Sequence, residues 1–298
     1  MSSQVLGGIA IVDKPAGMTS HDVVSTLRRY FGTRKVGHAG TLDPMATGVL
    51  VAGINRGTKF LAHLTKADKR YKGTIRLGSA TTTDDREGEI ISQAKPAAIA
   101  AIEDERILQG VADLSGDIMQ RPTAVSAIKI NGKRAHERVR EGEDVVIPAR
   151  PVRIDSFKVH EIRRGEGFID LDVDVACSSG TYIRALARDL GEALGVGGHL
   201  TALRRTAVGS FSIEQATELA LLEEEPKFMS LDEALPLCFP VLEVTTQEAA
   251  DLAMGKWLEP RGLKGTFAAV DPEGRAVALV KEQGKRLATV FVARPSTL

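Results

Sequence analysis

Cysteine is nearly absent from this chain of 298 residues: Cys177 and Cys238 stand far apart, without a metal-ligand spacing. A disulfide framework and a thiolate metal site are therefore not expected, and two buried thiols in a reducing cytosol are. No apolar run approaches membrane-spanning length, and the first residues lack the basic–apolar–small pattern of a secretory signal. A membrane partner is therefore not expected. No internal repeat or low-complexity tract occurs. Net charge is absent as well, which at first argues against a nucleic-acid partner.

The zero hides an uneven distribution. Residues 26–80 hold eleven Lys/Arg against two Asp, and residues 121–164 hold eleven against six acids. Acidic residues concentrate over 84–117 and 211–251. Folding can gather such a pattern into a basic face and an acidic back, and a basic face attracts a phosphate backbone. Charges scattered over the folded surface remain the alternative. Hydrophobic residues make up 43% and charged residues 26%, enough for a globular chain with one large domain and one small one.

Apolar runs and turn residues predict the elements. Gly8–Asp13 reads as a buried strand closed by Lys14-Pro15-Ala16-Gly17. Ser20 is expected to cap a helix with Val23, Val24, Leu27, Tyr30 and Phe31 on one face. Val49–Ile54 reads as a buried strand, Phe60–Leu64 as a short helix, Tyr71–Leu77 as a strand and 97–110 as one helix. Phe168–Cys177 alternates apolar residues with Asp170, Asp172 and Asp174, a strand with one wet face. Gly180-Thr181 opens a helix that Gly195 stops. The basic stretch 120–150, with an Asn131-Gly132 turn signal, is expected to be an exposed, mobile insertion. After a helix over 246–254, three short strands (266–270, 276–280 and 287–292) predict a small β-rich domain from about residue 240.

Chemistry concentrates in Gly37-His38-Ala39-Gly40-Thr41-Leu42-Asp43-Pro44-Met45-Ala46-Thr47-Gly48. Three glycines allow backbone angles closed to other residues, and Pro44 biases Asp43 towards extended conformations. A carboxylate held so rigidly suits a nucleophile. Taken alone, the turn also reads as an Asx-turn in which Asp43 caps the backbone. Tyr71 lies in Lys69-Arg70-Tyr71-Lys72-Gly73, an aromatic among cations that suits stacking on a base. Arg184 follows Gly180-Thr181-Tyr182-Ile183 in the first turn of a helix.

These segments, with Asp13-Lys14-Pro15-Ala16-Gly17-Met18-Thr19-Ser20 and His199-Leu200-Thr201-Ala202-Leu203-Arg204-Arg205, resemble the TruB family of tRNA pseudouridine(55) synthases. They occur in the family's order from residue 8 to about 211, and several long matches in order make a specific signal. The resemblance implies an α+β catalytic domain over 1–240, built on a mixed, largely antiparallel sheet, with the basic insertion at about 120–150 gripping RNA. It implies a PUA-like RNA-binding domain over 241–298. Asp43 would be the nucleophile, Tyr71 would stack on the target base, and Arg184 would pair with Asp43. His38 would help open the T-loop and Leu203 would line the pocket, with Lys14, Tyr182, Lys69 and Arg70 also among the substrate-binding residues. The substrate would be the T stem-loop of tRNA, with no cofactor and no metal. The long basic tail of guide-RNA-dependent relatives is not seen, so no guide RNA is expected, and a cytoplasmic monomer is. The chain departs from the family at Gln120-Arg121-Pro122-Thr123-Ala124-Val125-Ser126-Ala127, where the family reads Gln-x-Pro-Pro-x-Tyr-Ser-Ala, and at His136, where Tyr is common.

Two other functions compete. A glycosidase also attacks an anomeric carbon, but normally needs a second carboxylate, and no second acid sits in the matching motifs. A non-catalytic tRNA-binding or folding protein would keep the basic face and Tyr71 without needing Asp43 as a carboxylate.

Overall fold

Two strands that read in the sequence as continuous apolar runs pair along their whole length. Gly7–Lys14 lies antiparallel to Thr47–Asn55, from Gly7 opposite Asn55 to Lys14 opposite Gly48. Both are buried on both faces, so they lack polar alternation. The computed structural model describes residues 6–123, 129–130, 133–134 and 147–297, and it divides into two compact units, 1–65 with 207–298, and 66–206.

In the first unit, Val36–Ala39 pairs with Thr47–Asn55, and the short strands Thr217–Glu218 and Met229–Ser230 pair with Gly7–Lys14. The helix Ser20–Tyr30 buries Val23, Val24 and Leu27 against Ala10, Val12, Leu50 and Ala52. Its cap is Thr19, not Ser20: the Thr19 hydroxyl accepts from Asp22 N at 3.1 Å, and Asp22 returns a bond to Thr19 N at 2.9 Å. Ser20 is turned inward instead, where it meets the Asp43 turn.

The same unit carries a four-stranded sheet in the order Val241–Glu243, Thr266–Val270, Ala276–Gln283, Arg286–Val292. Its first pairing is parallel and the other two are antiparallel hairpins. The helix Thr246–Ala253 covers it with Ala249 and Leu252. Arg56 Nε donates to Val292 O at 2.8 Å, and the Phe60 ring lies about 6 Å from those of Phe239 and Phe291, so the small sheet is sewn to the N-terminal strands.

The second unit is a sheet in the order Gly198–Val208, Lys69–Leu77, Phe168–Cys177, Arg150–Gly165, Gly116–Gln120. The expected alternation of Phe168–Cys177 holds, and its acidic face is matched by charge. Asp170 takes two bonds from Arg76, both at 2.7 Å, Asp172 takes Thr74 Oγ1 at 2.8 Å and Arg163, and Asp174 faces His160 Nε2 at 3.0 Å. The helix Ile183–Leu194 packs Leu186 and Leu190 fully inside and ends at Gly195, φ 76°. Gly191 is dictated by contact: a Cβ there would stand 2.1 Å from Gly198 N.

The single helix expected over 97–110 is two, Pro96–Ala100 and Asp104–Asp113. The break is held open by Arg164, which donates to Ile102 O at 2.8 Å and to the Asp104 carboxylate. Glu103 turns extended there, with ψ 152°, and Ile102 drops into the core. The expected insertion with its Asn131-Gly132 turn lies mostly outside the described residues, as does His136. Lys129–Ile130 and Lys133–Arg134 are described, and they pair antiparallel. Both cysteines are free; Cys177 is buried as expected while Cys238 is half-buried, and burial pushes each thiol up to about 11, away from the thiolate form at neutral pH. Among the described residues no helix is long and apolar enough to cross a membrane.

Candidate active site

Asp43 sits on a loop gripped by main-chain and side-chain bonds on both sides. Leu42 N donates to Ser20 Oγ at 2.8 Å while Ser20 Oγ donates to Leu42 O at 3.1 Å. Beyond Asp43, Pro44 O accepts from Gly17 N at 2.8 Å and from Lys14 Nζ at 3.2 Å. Leu42, Met45 and Ala46 are buried, so the loop is nailed down by apolar side chains while Asp43 stays half-buried. Gly40 (φ 80°) and Gly48 (φ 100°) supply the left-handed angles. Gly37 supplies none; it lies in the strand Val36–Ala39, opposite Gly53, with His38 beside it opposite Ala52.

Lys14 is not where a substrate-binding lysine belongs. It is fully buried, and Nζ donates to Pro15 O at 2.8 Å and Met18 O at 2.7 Å as well as to Pro44 O. A buried ammonium is tolerated only when hydrogen-bonded, and this one ties the Lys14–Gly17 turn to the Asp43 loop.

The second unit holds the other candidates. Tyr71 lies opposite Val175 and keeps 9% of its surface. Strand alternation separates the cations around it. Lys69 shares its buried face, donates to Ala67 O, and has its pKa lowered by burial and by Arg205 nearby. Arg70 and Lys72 are exposed on the opposite face, so Arg70 does not join Tyr71. Leu203 is buried beside Gly73, where an added Cβ would lie 3.5 Å from its Cδ1; the missing side chain brings Leu203 to the strand of Tyr71.

Tyr182 precedes the helix Ile183–Leu194, its N donating to Gln120 Oε1 at 2.9 Å and its O accepting from Gln120 Nε2 at 3.1 Å. The Arg150 guanidinium lies 5.2 Å from its ring centre. Arg184 is nearly buried. Its Nη1 donates to Thr83 O at 2.9 Å and stands 3.3 Å from Asp85 Oδ2. Asp85 is fixed in turn by Thr83 Oγ1 at 2.6 Å and Glu87 N at 3.0 Å. One helical turn on, Arg188 meets Asp84 at 3.2 Å and Arg121 O at 2.6 Å. Burial pushes the Asp84 carboxyl up to about 6 even with Arg188 and Arg184 beside it.

Asp85 escaped sequence reasoning because it stands second in the acidic stretch 84–117, which reads as part of a solvated back. Its signal was the run Thr81-Thr82-Thr83 before it, hydroxyls able to fix a carboxylate. Among the described residues no group of three or more His, Cys, Asp and Glu can hold a metal ion. The chain thus offers a carboxylate on a rigid loop and a buried guanidinium with its direction set.

The mixed sheet with helices and a β-rich C-terminal region is the architecture of the pseudouridine synthases. A chain in the crystal structure of a Cbf5-Nop10-Gar1 complex superposes with a TM-score of 0.73 at 26% identity, over 99% of this chain and 87% of that one. The N-terminal model of the TruB family pseudouridylate synthases matches residues 28–183. Models of the tRNA pseudouridylate synthase B C-terminal domain and the tRNA pseudouridine synthase II C terminus match 184–236 and 239–294. The protein from Corynebacterium aurimucosum named tRNA pseudouridine synthase B is 69% identical, and its namesake from Corynebacterium diphtheriae 68%, each over 98% of this chain and 97% of the relative. The chain belongs to the TruB family of pseudouridine synthases.

Proposed function

We propose that the protein isomerises the T-loop uridine at position 55 of tRNA to pseudouridine, with Asp43 as nucleophile. The grip on Leu42 and Pro44 carries this reading, because it fixes the backbone on both sides of Asp43 before any substrate arrives. Such fixing is wasted on a surface acid and useful to a nucleophile, whose misplacement by about 1 Å can cost on the order of a hundredfold in rate.

The reaction breaks the C1′–N1 bond, turns the base and joins C5 to C1′; the C5 proton leaves and N1 gains one. No atom of a co-reactant is incorporated. The uridine must first leave its stack, which costs a few kcal/mol. Tyr71 and Leu203 supply apolar surface for the flipped base, and Tyr71 has a hydroxyl for proton removal at C5. Arg184, aimed by Asp85, pairs with the Asp43 carboxylate in its ionised form. His38 helps to open the T-loop, Tyr182 supports the wall beside Arg184, and Lys69 adds a buried positive charge. Lys14 acts on the loop of Asp43 rather than on RNA. Residues 1–240 form the catalytic domain and 241–298 a PUA-like RNA-binding domain, and the protein works as a cytoplasmic monomer without guide RNA or cofactor. The names carried by the Corynebacterium relatives support tRNA as substrate.

Tritium release from tRNA labelled at uridine C5 tests the chemistry. The intact chain releases tritium; Asp43→Asn binds the tRNA and releases none. Release by the variant at the parental rate overturns the nucleophile assignment, and tRNA binding without release by either protein favours a tRNA-folding protein.

A further inference from the structure

Trp257 is the only tryptophan of the chain, and it keeps 46% of its surface. A mobile tail would make that unremarkable, but here the backbone on both sides is fixed. Lys256 O accepts from Thr289 Oγ1 at 2.9 Å, and Leu258 exchanges both main-chain bonds with Leu287, at 3.0 and 2.8 Å. The side chains of Leu258 and Leu287 are buried in the core of the small sheet. The chain therefore anchors the residues flanking Trp257 while leaving its indole outside, where the largest apolar side chain gains least from folding.

Arg286 completes the feature. Its guanidinium stands 4.9 Å from the indole centre, a cation–π contact that occupies one face of a two-faced ring. Arg286 and Lys285 are exposed at the hairpin between the last two strands, and among the described residues neither is matched to a carboxylate. Lys256, by contrast, is neutralised by Asp251 at 2.8 Å. An aromatic face beside two unmatched cations suits a flat π-system joined to negative charge, which is an unpaired base with its phosphates. A protein partner of apolar surface would leave those cations desolvated and unpaired.

We infer that Trp257 and Arg286 form a stacking site for an unpaired base of RNA, with Lys285 on the adjoining phosphate. The inference rests on the reading of the protein as an enzyme acting on RNA, and places a contact in the C-terminal region where no base is modified.

The sole tryptophan reports its own occupancy. Emission from the intact protein is measured while it is titrated with tRNA, with a single-stranded oligoadenylate, and with a blunt RNA duplex of equal phosphate number. Both tRNA and oligoadenylate are expected to quench the emission, the duplex not. Trp257→Ala, followed by filter binding, is expected to weaken tRNA binding about ten- to a hundredfold, the range typical of a lost base–aromatic stack, with kcat unchanged. Arg286→Ala, which keeps the reporter, shifts the quenching curve to higher RNA. Unchanged emission when filter binding shows tRNA saturation overturns the site, as does equal quenching by the duplex. Unchanged emission with normal tritium release removes the stacking site alone. Quenching by oligoadenylate without tritium release keeps it and removes the isomerase reading.

Discussion

Ser20 illustrates how one atom can decide a site. By preference it should have capped its helix, and Thr19 takes that place, which frees the Ser20 hydroxyl for both polar groups of Leu42. Ser20→Ala leaves a buried amide and carbonyl without this partner, a loss of about 1–3 kcal/mol. The expected result is a stability decrease in that range on urea unfolding, together with a fall in kcat of about tenfold or more as Asp43 loses its fixed direction. Measured tRNA affinity should stay within about twofold, since Ser20 is buried and reaches no substrate. A variant with full kcat would show that the Leu42 clasp does not position the nucleophile.

The same residues show what the sequence made legible. The Asp43 loop announces itself by glycines and a proline, because backbone angles of that kind leave a compositional mark at Gly40 and Gly48. Lys14 leaves no such mark. Nothing in its neighbourhood in the chain distinguishes an ammonium that reaches phosphate from one folded back on three carbonyls, since the third, Pro44 O, comes from thirty positions away. Arg70 and Tyr71 are neighbours in sequence and strangers in space for a simpler reason, the two-residue period of a strand.

At the scale of elements, the turn Thr81 to Glu87 does for Arg184 what the strand ends do for Asp43. Two of its carboxylates, Asp84 and Asp85, have opposite fates: Asp85 is buried and tied to Arg184, while Asp84 adopts φ 59° and lies half-buried against Arg188. The Asp84 carboxyl rises from an ordinary 3.8 to about 6. A raised carboxyl pKa means that the folded state holds a proton the unfolded state has lost between those two values. Folding stability from this group is therefore highest below about 4, falls as pH rises through 6, and stays low at neutrality. Asp84→Asn removes the titration and keeps a residue that accepts positive φ. The variant should gain about 1–3 kcal/mol relative to the parent on moving from pH 4 to pH 7.5, from a shift of some two units at about 1.4 kcal/mol each. Denaturant midpoints at the two pH values check it; an equal difference at both would mean Asp84 stays ionised throughout. The split of the expected helix over 97–110 belongs here as well. Local propensity favours one helix, and Arg164, a residue some sixty positions on, holds it open.

On the scale of the whole molecule, a neutral chain is asked to bind a polyanion, and the distribution of charge has to do what the total does not. Of the eleven Lys/Arg in 26–80, eight are exposed, namely Arg28, Arg29, Arg34, Lys35, Lys59, Lys66, Arg70 and Lys72. Only Arg29 among these eight has a carboxylate at ion-pair distance in the described residues, Glu223 at 3.8 Å and exposed. The remaining three are committed inside the fold: Arg56 to Val292 O, Arg76 to Asp170, and Lys69 to Ala67 O. If six or more of the exposed charges meet phosphates, each contact releases condensed counterions, and tRNA affinity should fall by about 10³-fold between roughly 50 and 200 mM salt. Reversing two charges, as in Arg34→Glu with Lys35→Glu, should flatten the slope of log affinity against log salt by about two contacts' worth while leaving kcat at saturating tRNA unchanged. The acidic stretches 84–117 and 211–251 predict the control. Neutralising Glu224 and Glu225, which are exposed and belong to the second of these stretches, should alter the slope by less than one contact. A slope that ignores the Arg34 and Lys35 reversal, or affinity that ignores salt, would mean that this cluster faces water and that the RNA is held by other residues.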